Sequence, residues 1–142
     1  MSPQPLPGDP QETPAPYKVL LVDDHEWNRL LAVKWLKKWG LEVTCAVNGA
    51  EAVRLAAETP FELIFMDLQM PKMDGYEATR RIRALGGNIP IIALTASVEE
   101  DVLDKIRAAG MTDYMTKPFN PRELHAKIIG NLRESSLFPP YS

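Results

Sequence analysis

From Tyr17 to about Glu134 the chain alternates short apolar runs with stretches in which apolar residues recur at helical spacing. The runs Lys18-Val-Leu-Leu-Val22, Leu63-Ile-Phe-Met66 and Ile89-Pro-Ile-Ile-Ala-Leu94 show no polar alternation. A strand reads that way when both of its faces are covered. Leu41-Glu-Val-Thr-Cys-Ala-Val47 and Thr112-Asp-Tyr-Met-Thr116 are weaker strands, as expected nearer the edges of a sheet. Five helical segments follow these runs in turn. The first carries Leu31, Ala32, Trp35, Leu36 and Trp39 on one stripe, with Lys34, Lys37 and Lys38 off it and Gly40 at its end. The second opens at Asn48 with Glu51 three residues on, a capping-box spacing, and carries Ala52, Val53, Leu55 and Ala56. The third follows Gly75, carries Tyr76, Ala78, Thr79 and Ile82, and stops at Gly86-Gly87. The fourth is predicted to begin at Ser97, with Glu100 at the box position. The fifth starts Asn120-Pro121-Arg-Glu123, the order N-cap, N1 proline, box glutamate, and buries Leu124, Ile128, Ile129 and Leu132.

Five strand–helix units with right-handed crossovers make an α/β domain, a doubly wound parallel sheet covered by helices on both faces. Composition narrows the class. The chain has 142 residues, 45% hydrophobic and 25% charged, enough for one domain with a sizeable core. Nineteen acids against sixteen bases give a net charge of −3, so no polybasic surface invites nucleic acid or membrane. A single cysteine excludes a disulfide framework, and no apolar run approaches the roughly 20 residues of a membrane span. A cytoplasmic location is the expectation, although the parent protein could be membrane-anchored. Six of the thirteen prolines fall in residues 1–16, which read as an extended Pro-rich linker, and residues 135–142 read as a C-terminal tail. The domain proper is assigned to residues 17–134.

In such sheets ligands bind at the carboxyl ends of the strands, where strand order reverses. The first strand runs into Asp23-Asp24, the third into Asp67, the fourth into Thr95 and the fifth into Lys117. A lone Asp after a strand is ordinarily a turn former or a cap. Three carboxylates, a hydroxyl and an ammonium at one edge are costly unless they serve one another. Clustered hard oxygens suit Mg²⁺, an ammonium beside them suits a phosphate oxygen, and an Asp carboxylate can itself take a phosphoryl group.

Val22-Asp-Asp24, Met66-Asp-Leu-Gln-Met-Pro-Lys-Met-Asp-Gly75, Leu94-Thr-Ala96 and Tyr114-Met-Thr-Lys-Pro-Phe119 resemble the receiver domain of two-component response regulators. The resemblance covers residues 17 to about 134, and the longest stretch looks most like receivers of hybrid sensor histidine kinases. It implies a flavodoxin-like three-layer sandwich with strand order 2-1-3-4-5. It implies that Asp67 is the phosphoacceptor, with Mg²⁺ held directly by Asp24, Asp67 and the backbone carbonyl of Gln69 and by Asp23 largely through metal-bound water. Lys117 would pair with the phosphoryl group and Thr95 would donate its hydroxyl to it. Thr95 and Tyr114 would then relay the change to the surface of helix four, strand five and helix five. The implied donor is a histidine kinase or histidine phosphotransfer domain, and the implied recipient a downstream effector protein or domain. The resemblance also implies a cis Lys117–Pro118 bond.

Two other classes compete. An Asp-nucleophile phosphatase of the haloacid-dehalogenase type wants a second Asp two positions after the nucleophile, where this chain has Gln69. A receiver-like interaction module that never carries phosphate usually lacks one of the five site residues, and none is lacking here. Gln69 and Ser97 resemble positions that face the attacking water. His25 and His125 read as surface residues, Arg80, Arg81 and Arg83 as a solvated helix face, and Cys45 as a small buried residue. Trp35 and Trp39 read as core. Trp27, after the acidic loop, either meets a kinase partner or covers apolar surface. About 118 residues make a receiver and nothing else, so the output is expected from another domain or protein.

Overall fold

The computed structural model describes residues 17–135, so the Pro-rich linker and most of the tail lie outside the described residues. Strands and helices alternate: β1 (Lys18–Val22), α1 (Glu26–Lys38), β2 (Glu42–Ala46), α2 (Gly49–Glu58), β3 (Leu63–Asp67), α3 (Gly75–Ala84), β4 (Ile91–Thr95), α4 (Glu100–Ala109), β5 (Asp113–Thr116) and α5 (Pro121–Ser135). The five strands form one parallel sheet in the order β2-β1-β3-β4-β5. Strand order therefore reverses between β1 and β3, and Val22 pairs with Met66 one residue before Asp23 and Asp67.

Alternate residues of each strand feed opposite cores. Val19, Leu21, Phe65, Leu94 and Met115 pack with Ala32 and Leu36 of α1 and with Leu124 and Ile128 of α5. Leu20, Val22, Ile64, Met66 and Ala93 pack with Ala52 of α2, Ala78 and Ile82 of α3 and Ile106 of α4. Every residue of β3 and β4 is buried, which explains their unbroken apolar reading. Each fully buried Leu or Ile contributes about 1.5–3 kcal/mol relative to exposure. The cores thus fix where the polar strand ends must emerge.

The helix starts follow local chemistry. Asn48 Oδ1 accepts from the Glu51 amide at 2.8 Å, as in the predicted box, but Glu51 Oε1 accepts from the amide of Val47, one residue before the N-cap, at 2.8 Å. Asn120 Oδ1 accepts from the amides of Arg122 and Glu123. α3 is capped by Asp74, whose Oδ1 accepts from the Glu77 amide at 2.9 Å.

Several expectations are corrected. β4 begins at Ile91 rather than Ile89, because Pro90 has no amide to give the ladder; its carbonyl accepts from Ile64 at 3.0 Å. α4 begins at Glu100 rather than Ser97, because Ser97 is occupied in a turn with Thr95. Trp35 and Trp39 sit half-buried at the rim of the core, their rings 5.8 Å apart. His125 is half-buried rather than on the surface, its ring edge-on to Trp39 at 4.9 Å, and burial lowers its pKa. Cys45 is only half-buried, since β2 is an edge strand, and that burial raises its thiol pKa. Arg80 and Arg81 pair with Glu77 on the solvated face, but Arg83 leaves it: Nε donates to Gly110 O at 2.9 Å. That bond places a cation at the C-terminal end of α4, where the helix dipole favours it. Among the described residues no helix is long and apolar enough to cross a membrane.

Candidate functional site

The loops after β1 and β3 bring three carboxylates together at the reversal point. Asp23 is fully buried and Asp67 nearly so, while Asp24 is half-buried. Asp23 is fixed through its backbone: its amide donates to Ala46 O at 3.1 Å, and its carbonyl accepts from Arg29 at 2.7 Å. Its Oδ1 accepts from the His25 amide at 2.9 Å. Asp67 is fixed by the close approach of Gly75, whose amide donates to Leu68 O at 3.0 Å. A Cβ at Gly75 would lie 2.2 Å from Asp67 O, so only glycine lets α3 start there.

Lys117 comes to the pocket from the end of β5, and the Lys117–Pro118 bond is cis. Its Nζ donates to Asp67 Oδ1 at 2.8 Å, and the Gln69 amide reaches the same oxygen at 3.4 Å. Burial nevertheless pushes the Asp67 carboxyl above its ordinary pKa; Lys117 pulls the other way and the Asp23 charge adds to the rise.

Three buried carboxylate oxygens have no hydrogen-bond partner: Asp23 Oδ2, Asp24 Oδ1 and Asp67 Oδ2. Native structures rarely leave such atoms unsatisfied, because each costs about 1–3 kcal/mol or more. One donor atom from each of Asp23, Asp24, His25 and Asp67 can be chosen so that all lie within 4.8 Å. A cation among these side chains would offset their clustered charge, so the residues present fit a divalent metal.

Thr95, at the end of β4, lines the same cavity as Asp67 and Lys117. Its hydroxyl is committed within its own turn, donating to Ser97 O at 2.8 Å and accepting from the Ser97 amide at 3.1 Å. Tyr114 is not in this cavity. It lines a second one with Leu103, Ile106 and Arg107, and Lys127 Nζ lies 5.2 Å over its ring. The sequence reading thus finds Asp23, Asp24, Asp67, Thr95 and Lys117 at one edge, with Tyr114 apart. It misses Tyr76 and Val102, which wall the cavity beside Thr95, and Arg29, which holds the Asp23 loop. His25 is exposed, as the sequence reading has it, and its ring also approaches both neighbouring acids.

Fold and pocket together define a doubly wound α/β domain that can hold a cation and an anion side by side at its switch point. The chain belongs to the response regulator receiver domain family, whose model matches residues 19–129, and is a receiver domain of two-component phosphorelay signalling. Probable histidine kinase 5 of Oryza sativa subsp. japonica is 35% identical over 144 positions, covering 85% of this chain. The chain spans only 12% of that relative's length. The receiver domain of sensor histidine kinase PA1611 from Pseudomonas aeruginosa PAO1, whose structure has a magnesium ion coordinated in the active-site cleft, is 37% identical. It superposes with a TM-score of 0.78 over 84% of this chain and 99% of that one. A chain of the Saccharomyces cerevisiae co-crystal of the phosphotransfer protein Ypd1 with the Ssk1 receiver domain matches at 33% identity and a TM-score of 0.82, covering 87% and 93%.

Proposed function

We propose that this domain takes a phosphoryl group from a phosphohistidine onto Asp67, with Mg²⁺ bound by Asp23, Asp24, Asp67 and the Gln69 carbonyl. The observation that carries the reading is the buried Asp67 carboxylate, split between Lys117 at 2.8 Å on Oδ1 and a partnerless Oδ2 beside two other orphaned oxygens. Oδ2, with the carboxylates of Asp23 and Asp24, would hold the cation. Oδ1, on the lysine side, attacks phosphorus. The new bond is Asp67 Oδ1–P, and the breaking one is N–P, whose electron pair returns to the donor imidazole. Lys117 then follows the charge from the carboxylate to the phosphoryl oxygens. The metal supplies charge neutralisation at the acidic end of the pocket. Catalysis here is positioning and electrostatics with no proton relay required of the protein.

Phosphorylation replaces the single negative charge of Asp67 with a phosphoryl group carrying about −1.5 to −2 at the cavity that Thr95 lines. Thr95 is the responding hydroxyl: it exchanges its bonds to Ser97 for one to a phosphoryl oxygen, which frees the turn before α4. Tyr114, the β5 residue paired with Ala93 of β4, then turns inward and alters the α4–β5–α5 surface.

The donor is a histidine kinase or histidine phosphotransfer domain, a reading supported by the Ypd1 complex among the solved relatives. The recipient of the switch is a downstream effector protein or domain. The parent is a hybrid histidine kinase acting on the cytoplasmic side, in which residues 17–134 form the receiver, 1–16 a spacer and 135–142 a tail. Incubation of the chain with a radiolabelled phosphotransfer protein tests the reading. Label should pass to the wild type with Mg²⁺, stop with chelator and be absent from Asp67→Asn; equal labelling of Asp67→Asn would overturn it.

A further inference from the structure

His25 occupies the N-cap position of α1, where a side chain ordinarily accepts from a helix amide. Its side chain makes no such bond. The ring turns toward the acids instead, with Nδ1 3.1 Å from Asp24 Oδ1 and 3.4 Å from Asp23 Oδ1. The contacts have ion-pair distances, and Asp24 Oδ1 has no hydrogen-bond partner. Two atoms bound at right angles to one metal, each roughly 2.1 Å from it, stand roughly 3.0 Å apart. The distance from Nδ1 to Asp24 Oδ1 is close to that spacing, and donor atoms of Asp23, Asp24, His25 and Asp67 can be chosen within 4.8 Å of one another. Independently, Asp23 Oδ2 and Asp67 Oδ2 are buried without partners, on side chains almost wholly removed from solvent, so Lys117, bound to Asp67 Oδ1, leaves each acid with an unanswered oxygen.

We propose that His25 Nδ1 is an additional donor of the cation site, giving it a mixed oxygen–nitrogen set that takes a borderline transition-metal ion over Mg²⁺. The inference rests on the acidic pocket being a cation site, as proposed above. An all-oxygen set suits Mg²⁺, whereas an imidazole nitrogen adds affinity for Co²⁺, Ni²⁺ and Zn²⁺ and little for Mg²⁺. At 65% exposure the ring can close onto an ion or swing away, so Mg²⁺ can still bind through the carboxylates alone.

Calorimetric titration of the full chain with MgCl₂, CoCl₂ and ZnCl₂ tests this in the wild type, His25→Ala and His125→Ala. Some preference for Co²⁺ and Zn²⁺ follows from the Irving–Williams order with any donor set, so the decisive quantity is its change on substitution. His25→Ala should weaken Co²⁺ and Zn²⁺ binding roughly tenfold or more while Mg²⁺ binding stays within about twofold. His125→Ala, which removes the other histidine, should change neither. The visible spectrum of the bound Co²⁺ should shift in His25→Ala as a nitrogen ligand is lost. An unchanged Co²⁺/Mg²⁺ ratio with an unchanged spectrum would overturn the role of His25 while leaving the phosphoacceptor reading intact. Failure of every metal to bind the wild type would overturn both. Tighter binding of all three metals to His25→Ala would make the ring a competitor of the cation, and would also overturn the proposal.

Discussion

Asp67–Lys117 and Asp113–Lys127 are both aspartate–lysine pairs with a 2.8 Å contact, one at the end of β3 and the other at the start of β5. Around Asp113 every need is met. Oδ1 accepts from Lys127 and from the Tyr114 amide at 2.8 Å, and Oδ2 accepts from Asn131 at 3.1 Å. Burial alone would raise its pKa, but Lys127, Asn131 and the Tyr114 amide outweigh burial and hold the carboxyl below its ordinary value. Around Asp67 the balance reverses. Burial outweighs Lys117, the Asp23 charge adds to the rise, and Oδ2 has no partner. The same two residue types therefore make a structural tie in one place and a reactive, underpaid carboxylate in the other. What differs is the supply of further donors, which is where a ligand is needed.

Substitutions can break this contrast in order of effect. Gly75→Ala drives a Cβ into Asp67 O and should cost about 3 kcal/mol, read by urea unfolding, while the Asp113 pair is untouched. A cost under about 1 kcal/mol would mean that the loop after β3 yields. Lys117→Met should slow phosphoryl transfer to Asp67 about 10²-fold, whereas Lys127→Met should leave the transfer rate within about twofold. Stability should split the pairs by sign. Asp113→Asn should lose about 1 kcal/mol at neutral pH, and Asp67→Asn should gain a similar amount by removing an unsatisfied charge.

Acid should erase both effects, from opposite sides. Asp67 has a raised carboxyl, so its ionised form is costly at neutral pH and the cost fades as pH falls through that raised value toward 3.8. The gain from Asp67→Asn should shrink over that window. Asp113 has a lowered carboxyl, so its contribution is fully present above 3.8 and is lost only as pH falls through the lower value. Thermal melts at a series of pH values should show the Asp67 difference disappearing first. The reverse order would contradict the assignment of the two environments.

Most of the fold was legible because β1, β3 and β4 are buried on both faces, which leaves an unbroken apolar signature at each. The topology rules then bring Asp23, Asp24, Asp67, Thr95 and Lys117 to one edge without further information. Less legible was anything set by a distant partner. Arg83 looked like the neighbours that pair with Glu77, yet its bond is to Gly110, twenty-seven positions away. Ser97 had a capping spacing, but the Thr95 hydroxyl held it in a turn and moved the start of α4. The exposure of His25 was legible, but its approach to Asp23 and Asp24 was not, because one ring torsion decides it. Which carboxylate oxygens are orphaned is likewise a matter of atoms, not spacing.

The most direct measurement is the intact mass of wild type, Asp67→Asn and Asp113→Asn after the same exposure to Mg²⁺ and acetyl phosphate. Wild type and Asp113→Asn should each gain the mass of one phosphoryl group, and Asp67→Asn should gain none. One phosphoryl group on Asp67→Asn, or none on the wild type, would contradict the assignment of Asp67 as the residue that carries the signal.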